Sequence, residues 1–210
     1  MSVSKTPKYR ATTSARLLTL AKTRSFLRAR DVAALGIHTG ALTRMARTGE
    51  LEKVGPGRYR LAAKPRTSEH HDLVMATSAV PGSVVCLASA LRFRSIGTQL
   101  PHQVWIAVPR GTRVPRLQTP PIHVVNISPT LFDLGLAMHR IEGQAVKVYS
   151  VARTVADCFR FRNTIGLDVA LEALTEAWRS KRLNLDELNR IAKRLRVQRV
   201  MQPYLETAVL

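Results

Sequence analysis

Thr39-Gly40-Ala41-Leu42-Thr43-Arg44-Met45-Ala46-Arg47, followed after Gly49 by Leu51-Glu52-Lys53-Val54-Gly55-Pro56-Gly57-Arg58-Tyr59-Arg60-Leu61, changes its hydrophobic period in mid-stretch. In the first segment Leu42, Met45 and Ala46 recur at helical spacing, Thr39 stands where an N-cap belongs, and Thr43, Arg44 and Arg47 fall on the opposite side. In the second, Leu51 and Val54 flank a charged pair, Gly55-Pro56-Gly57 makes a turn, and Arg58-Tyr59-Arg60-Leu61 alternates polar with apolar, which predicts a β-hairpin. Upstream, Leu17, Leu18, Leu20 and Ala21 lie at helical spacing between Thr12-Thr13-Ser14 and Thr23 and predict a first helix. Phe26-Leu27 is a short extended pair, and Asp31 to Leu35 predicts a second helix that Gly36 closes with a left-handed cap. Three short helices and a basic hairpin, with a four-residue turn between the second and third helices, have the layout of a winged helix-turn-helix.

That layout assigns roles by chemistry. The third helix enters the major groove, where Arg44 and Arg47 each offer a guanine two parallel donors, and Thr39 and Thr43 reach bases or phosphates. Lys53, Arg58, Tyr59 and Arg60 on the wing, with Lys5, Lys8 and Arg10 on the leading arm, are placed for sequence-independent contacts to the DNA backbone. A run of arginines on a helix equally describes a solvated face, and small winged-helix units also dock proteins. What favours DNA is concurrence: fold pattern, sign of charge and a third helix without acids.

The charge supports the same partner. The 210 residues carry 33 Lys and Arg against 14 Asp and Glu, a formal net charge of +19, which points to a polyanion. Residues 1–66 hold 15 basic and 3 acidic residues, so the first third is the more polyanion-directed. Only Cys86 and Cys158 are present, which excludes a disulfide-dense scaffold and closely spaced thiolate metal ligands, and fits a reducing, cytoplasmic setting. The basic N-terminus lacks the apolar run of a signal peptide, and prolines interrupt every stretch that approaches membrane-spanning length.

A Pro-containing polar segment, Ala62 to Ser68, marks a boundary between a DNA-binding domain at 1–66 and an α/β domain at 67–210. In the second domain Glu69 to Ala79 predicts a helix. Val84–Leu87, Val104–Val108, Ile122–Val125 and Val146–Tyr149 predict strands, and Ser89-Ala90-Leu91 opens a short helix. From Ser150 on the chain reads as helix. Adjacent His70 and His71 point to different faces and suit no helical metal pair, so no metal or cofactor is expected. Arg153 and Asp157 lie four apart and predict an exposed pair contributing about 0.3 to 0.5 kcal/mol. Arg190, Lys193, Arg194, Arg196 and Arg199 form a second basic surface for DNA or an acidic partner, or simply a solvated helix face.

Several segments, in this order, resemble those of the AbiEi-like antitoxins of bacterial type IV toxin-antitoxin and abortive-infection systems. They are Leu51 to Leu61 with its Gly-Pro-Gly-Arg-Tyr-Arg-Leu wing, Ser89-Ala90-Leu91, Gln103 to Pro109, and Arg153-Thr154-Val155-Ala156-Asp157-Cys158. The resemblance implies an α+β protein: a winged helix-turn-helix domain joined to a mixed α/β antitoxin domain with a helical C-terminal part. It further implies a transcriptional repressor that binds its own operator DNA and opposes a nucleotidyltransferase-like toxin. Inverted-repeat operators imply two copies on one site, brought as a dimer or as monomers.

Two rival functions are weighed on residues. A nuclease of restriction type needs an acidic residue and an acid-x-Lys strand to hold a divalent ion, but Gln144-Ala145-Val146-Lys147 has Ala145 where the second carboxylate belongs, and Asp133 has no partner. No glycine-rich phosphate loop and no nucleophile elbow is present, so no enzyme is expected. An RNA-binding protein fits the charge, yet aromatic residues are only 5% of the chain, which leaves few stacking platforms.

Overall fold

In the computed structural model, which describes residues 12–62, 68–115, 117 and 119–209, helix α1 (Thr13–Thr23) starts where Thr12 accepts a hydrogen bond from the Ala15 amide at 3.3 Å. Its residues Leu17 and Ala21, four apart, are fully buried. Strand β1 (Leu27–Arg28) leads directly into α2 (Ala29–Ala34), two residues earlier than the apolar spacing predicts. Gly36, at φ +72°, turns the chain out of α2 while its amide donates to the Ala33 carbonyl and the Ile37 amide to that of Val32.

Helix α3 (Gly40–Arg47) buries Ala41, Leu42 and Met45, while Ala46 is only partly covered. Burying a side chain such as Leu42 contributes about 1.5 to 3 kcal/mol, so this stripe holds α3 in place. Strands β2 (Leu51–Gly55) and β3 (Arg58–Leu61) form the expected hairpin around Pro56-Gly57, and β1 completes an antiparallel sheet in the order β1-β3-β2. The Gly57 carbonyl accepts from the Ala29 amide at 2.8 Å, which ties the hairpin turn to the start of α2. Leu17, Val32, Leu42, Met45, Leu51 and Tyr59 share one core.

The chain divides into two compact units, one reaching to Ser68 and including Glu142–Gln144, the other formed by the remainder from Glu69 on. The second unit begins with α4 (His71–Ala79), β4 (Val84–Val85), α5 (Leu87–Phe93), β5 (Val104–Pro109) and β6 (Ile122–Ile127). It continues through α6 (Pro129–Phe132), β7 (Leu136–Ile141) and β8 (Gln144–Tyr149), and ends with five helices. These are α7 (Val151–Arg160), α8 (Arg162–Ile165), α9 (Leu167–Arg179), α10 (Leu185–Leu195) and α11 (Gln198–Val209). The sheet order is β6-β5-β4-β8-β7, with β5 parallel to β6, β4 antiparallel to β5 and parallel to β8.

Two expectations change here. The strand predicted over Val84–Leu87 stops at Val85, because Cys86 is extended at the N-cap position of α5 and Leu87 already turns at φ +44°. The Arg153–Asp157 pair is not on the surface: both side chains are buried, with Arg153 Nε donating to Asp157 Oδ2 at 2.7 Å. Arg153 Nη1 also donates to the carbonyls of Leu131 and Leu134 at 2.7 and 2.8 Å, and its guanidinium lies 4.3 Å from the Tyr149 ring centroid. Burial pushes the Asp157 carboxyl above its ordinary range against the pull of Arg153. Arg153 thus ties α7 to α6 and to the turn that follows it, and the pair belongs to the interior of the second unit.

Candidate nucleic-acid interface

Burial of Ala41, Leu42 and Met45 leaves α3 two exposed flanks. Thr43 and Arg47, four apart, share one; Arg44, four residues after Gly40, stands on the other. Each of the three is exposed. Thr39 occupies the N-cap position, but in helical geometry and without a cap bond. His38 does the capping instead: its Nδ1 accepts from the Gly40 amide at 3.1 Å, and a Cβ at position 40 would meet that nitrogen at 2.9 Å. The N-cap position is thus the expected one, and the side chain that satisfies the first turn is an imidazole in place of the hydroxyl.

The hairpin presents its residues unequally. Lys53 is exposed. Arg60 is engaged by Glu52 across the hairpin, Nε at 2.8 Å and Nη2 at 2.6 Å both donating to the single oxygen Oε2. Arg58 is half-buried, its guanidinium folded over Gly55, where an added Cβ would lie 2.7 Å from Nη2. Tyr59, assigned to DNA with the wing, has its ring in the core at 7% exposure, and its hydroxyl lies 3.3 Å from Thr43 Oγ1. Its role is to seat α3 on the hairpin. Lys5, Lys8 and Arg10 lie outside the described residues.

One neighbour escaped the sequence reading. Arg28 faces Arg58 in the β1–β3 register, which adds a third arginine to the hairpin's sheet. Burial lowers the pKa of both guanidinium groups, and for Arg28 the nearby Arg30 and Arg58 push the same way against Asp31. The strand pairing that brings Arg28 there is non-local and leaves no spacing signal.

In the second unit Arg190, Lys193, Arg194, Arg196 and Arg199 are all exposed, opposite the buried Leu188, Ile191, Ala192 and Leu195. Arg196 is the left-handed cap of α10, at φ +59°. His70 packs its ring against Phe93 with centroids 4.9 Å apart. Among the described residues no group of three His, Cys, Asp or Glu is placed to hold a metal ion, and no helix is long and apolar enough to cross a membrane. Cys86 and Cys158 are buried, and burial pushes both thiols up.

Residues 15–62 match the family model AbiEi_4, described as "Transcriptional regulator, AbiEi antitoxin". The match runs from within α1 to just past the end of the hairpin and so takes in α3 and the hairpin, and nothing of the second unit. Sequence comparison with curated proteins gives no match. Among solved structures the chain is similar to the RV2827C protein from Mycobacterium tuberculosis, with a TM-score of 0.57 at 14% identity, over 88% of this chain and 72% of that one. At that identity the likeness is one of fold.

Proposed function

We propose that the protein is an antitoxin and transcriptional repressor whose N-terminal unit is a winged helix-turn-helix that binds duplex DNA. The observation that carries this reading is α3 itself, an amphipathic helix with Thr43, Arg44 and Arg47 exposed beside a hairpin that adds Lys53 and Arg58. In this reading α3 lies in the major groove, its guanidinium groups meet guanine O6 and N7, and the hairpin follows the phosphates. The helix that enters the groove carries no acid to repel the backbone.

The family match to residues 15–62 supports regulation of an operon and an antitoxin role. A nucleotidyltransferase-like toxin as the protein opposed, and an inverted-repeat operator occupied by two copies, belong to the same proposal. The second unit would then face the toxin, and the Arg190 to Arg199 surface would be a solvated face or a contact for an acidic partner.

The test is equilibrium binding of the full chain to duplex from its own upstream region, to scrambled duplex and to structured RNA, at two salt concentrations. The proposal expects preference for the upstream duplex and affinity that falls steeply with salt. Equal affinity for all three would reject sequence-specific repression.

A further inference from the structure

Helix α3 touches the hairpin on one flank, through Thr43 and Tyr59. Its other flank, carrying Arg44, closes a pocket of about 420 Å³ against α1, and Thr13, Arg16 and His38 supply the polar side chains of the remaining wall. That wall holds two guanidinium groups, an imidazole and a hydroxyl, and no carboxylate. Because His38 Nδ1 accepts from the Gly40 amide, the neutral ring keeps its proton on Nε2 and is a donor as well. Every polar side chain lining the pocket can therefore donate, and the two arginines bring fixed positive charge. The ligand chemistry that matches is a compact anion with several acceptor oxygens.

We infer that the pocket between α1 and α3, walled by Thr13, Arg16, His38 and Arg44, takes a backbone phosphate of the duplex. This rests on the DNA-binding reading and deepens it. A helix lying in a groove about 12 Å wide has a phosphate chain on each side. Lys53 and Arg58 lie on the hairpin side, whereas among the described residues no phosphate contact has yet been assigned on the α1 side. The pocket supplies that second wall and brings in Arg16, whose place on α1 carries no signal in the sequence beyond an exposed helical position. It also divides α3: Arg44 gives up guanine readout to hold a phosphate, while Arg47 and Thr43, which stand outside the pocket wall, keep the base edges.

The experiment measures binding of the full chain to a mixed-sequence duplex across a salt series, for wild type and Arg16→Ala. Arg16 is exposed and alanine favours a helix, so the fold is kept. The expected result is a slope of log affinity against log salt that drops by part of one phosphate's share of about 0.9, with the same fractional loss on every sequence. The Arg16→Ala/Arg44→Ala double variant completes the drop to about 0.9 and no further, since both side chains serve one phosphate. Neutral methylphosphonate linkages placed one at a time locate that phosphate: one of them weakens wild type and weakens Arg16→Ala less. If wild type binds and Arg16→Ala keeps the same slope and affinity, the pocket assignment is overturned and the DNA reading stands. If wild type binds no duplex, both are overturned. Inorganic phosphate that displaces duplex from wild type beyond the effect of ionic strength, but not from Arg16→Ala, would place the free anion and the duplex phosphate in the same pocket and support the assignment.

Discussion

Arg153 on α7 and Arg47 on α3 are the same side chain on helices of similar amphipathic pattern, yet they meet opposite fates. Arg153 is enclosed, with Asp157, two carbonyls and the Tyr149 ring around it. Arg47 is exposed on a helix with no acid. The difference lies in the surroundings: α7 is packed by α5, α9 and α10, whereas α3 is packed on one side only. A guanidinium becomes structural where the fold supplies acceptors and excludes water, and stays available to an outside anion where the fold supplies neither. Net charge does not separate the two cases.

The contrast breaks most visibly at Asp157. Asp157→Ala leaves Arg153 buried with its charge uncompensated and is expected to cost about 3 to 5 kcal/mol, read as a lower urea midpoint with unchanged slope. A shift within the range of surface substitutions would place the pair at the surface after all. At the other extreme, Arg47→Ala should leave stability nearly untouched and remove about 1 to 3 kcal/mol of preference for the upstream duplex over scrambled duplex. Equal losses on the two duplexes would strip Arg47 of base readout.

How far these fates were legible follows from geometry. The helices and hairpin of the first unit could be read because each is buried on one face only, which leaves the periods at Leu17 and Ala21, Leu42 and Met45, and Arg58 to Leu61 intact. The i,i+4 spacing of Arg153 and Asp157 told that they can meet, but not that the Leu131 and Leu134 carbonyls and the Tyr149 ring enclose Arg153. Strand β7 went unread since its burial follows no clean alternation. Tyr59 was in fact signalled: it sits at an apolar position of the alternating strand, the pattern of a core residue. The pocket at Arg16 was not legible, because α1 and α3 meet only in three dimensions.

Glu52 refines the comparison within the hairpin, since it makes Arg60 a small surface version of the Arg153 case. Glu52→Gln releases Arg60 and removes a negative charge, so affinity for mixed-sequence duplex should rise several-fold, while stability falls by no more than about 1 kcal/mol. Weaker or unchanged binding would take that strand away from the DNA.

The smallest effect is one of pH. Burial lowers the pKa of His123, stacked on Trp105 with centroids 3.8 Å apart, and of His139, where Arg94 adds to the shift. The unfolded chain therefore binds more protons, so stability is fully present above the ordinary histidine value of 6.5 and is lost as pH falls from there toward the lowered folded values. Urea midpoints of wild type and His123→Gln across that window check it: the variant should lose part of the dependence, and an identical profile would show that His123 does not contribute.

The most direct test of the central claim is amide chemical-shift mapping of the full chain during titration with duplex from its upstream region. The account predicts perturbations concentrated on α3, the 51–61 hairpin and the α1 residues around Arg16. Perturbations confined to residues beyond Glu69 would contradict it.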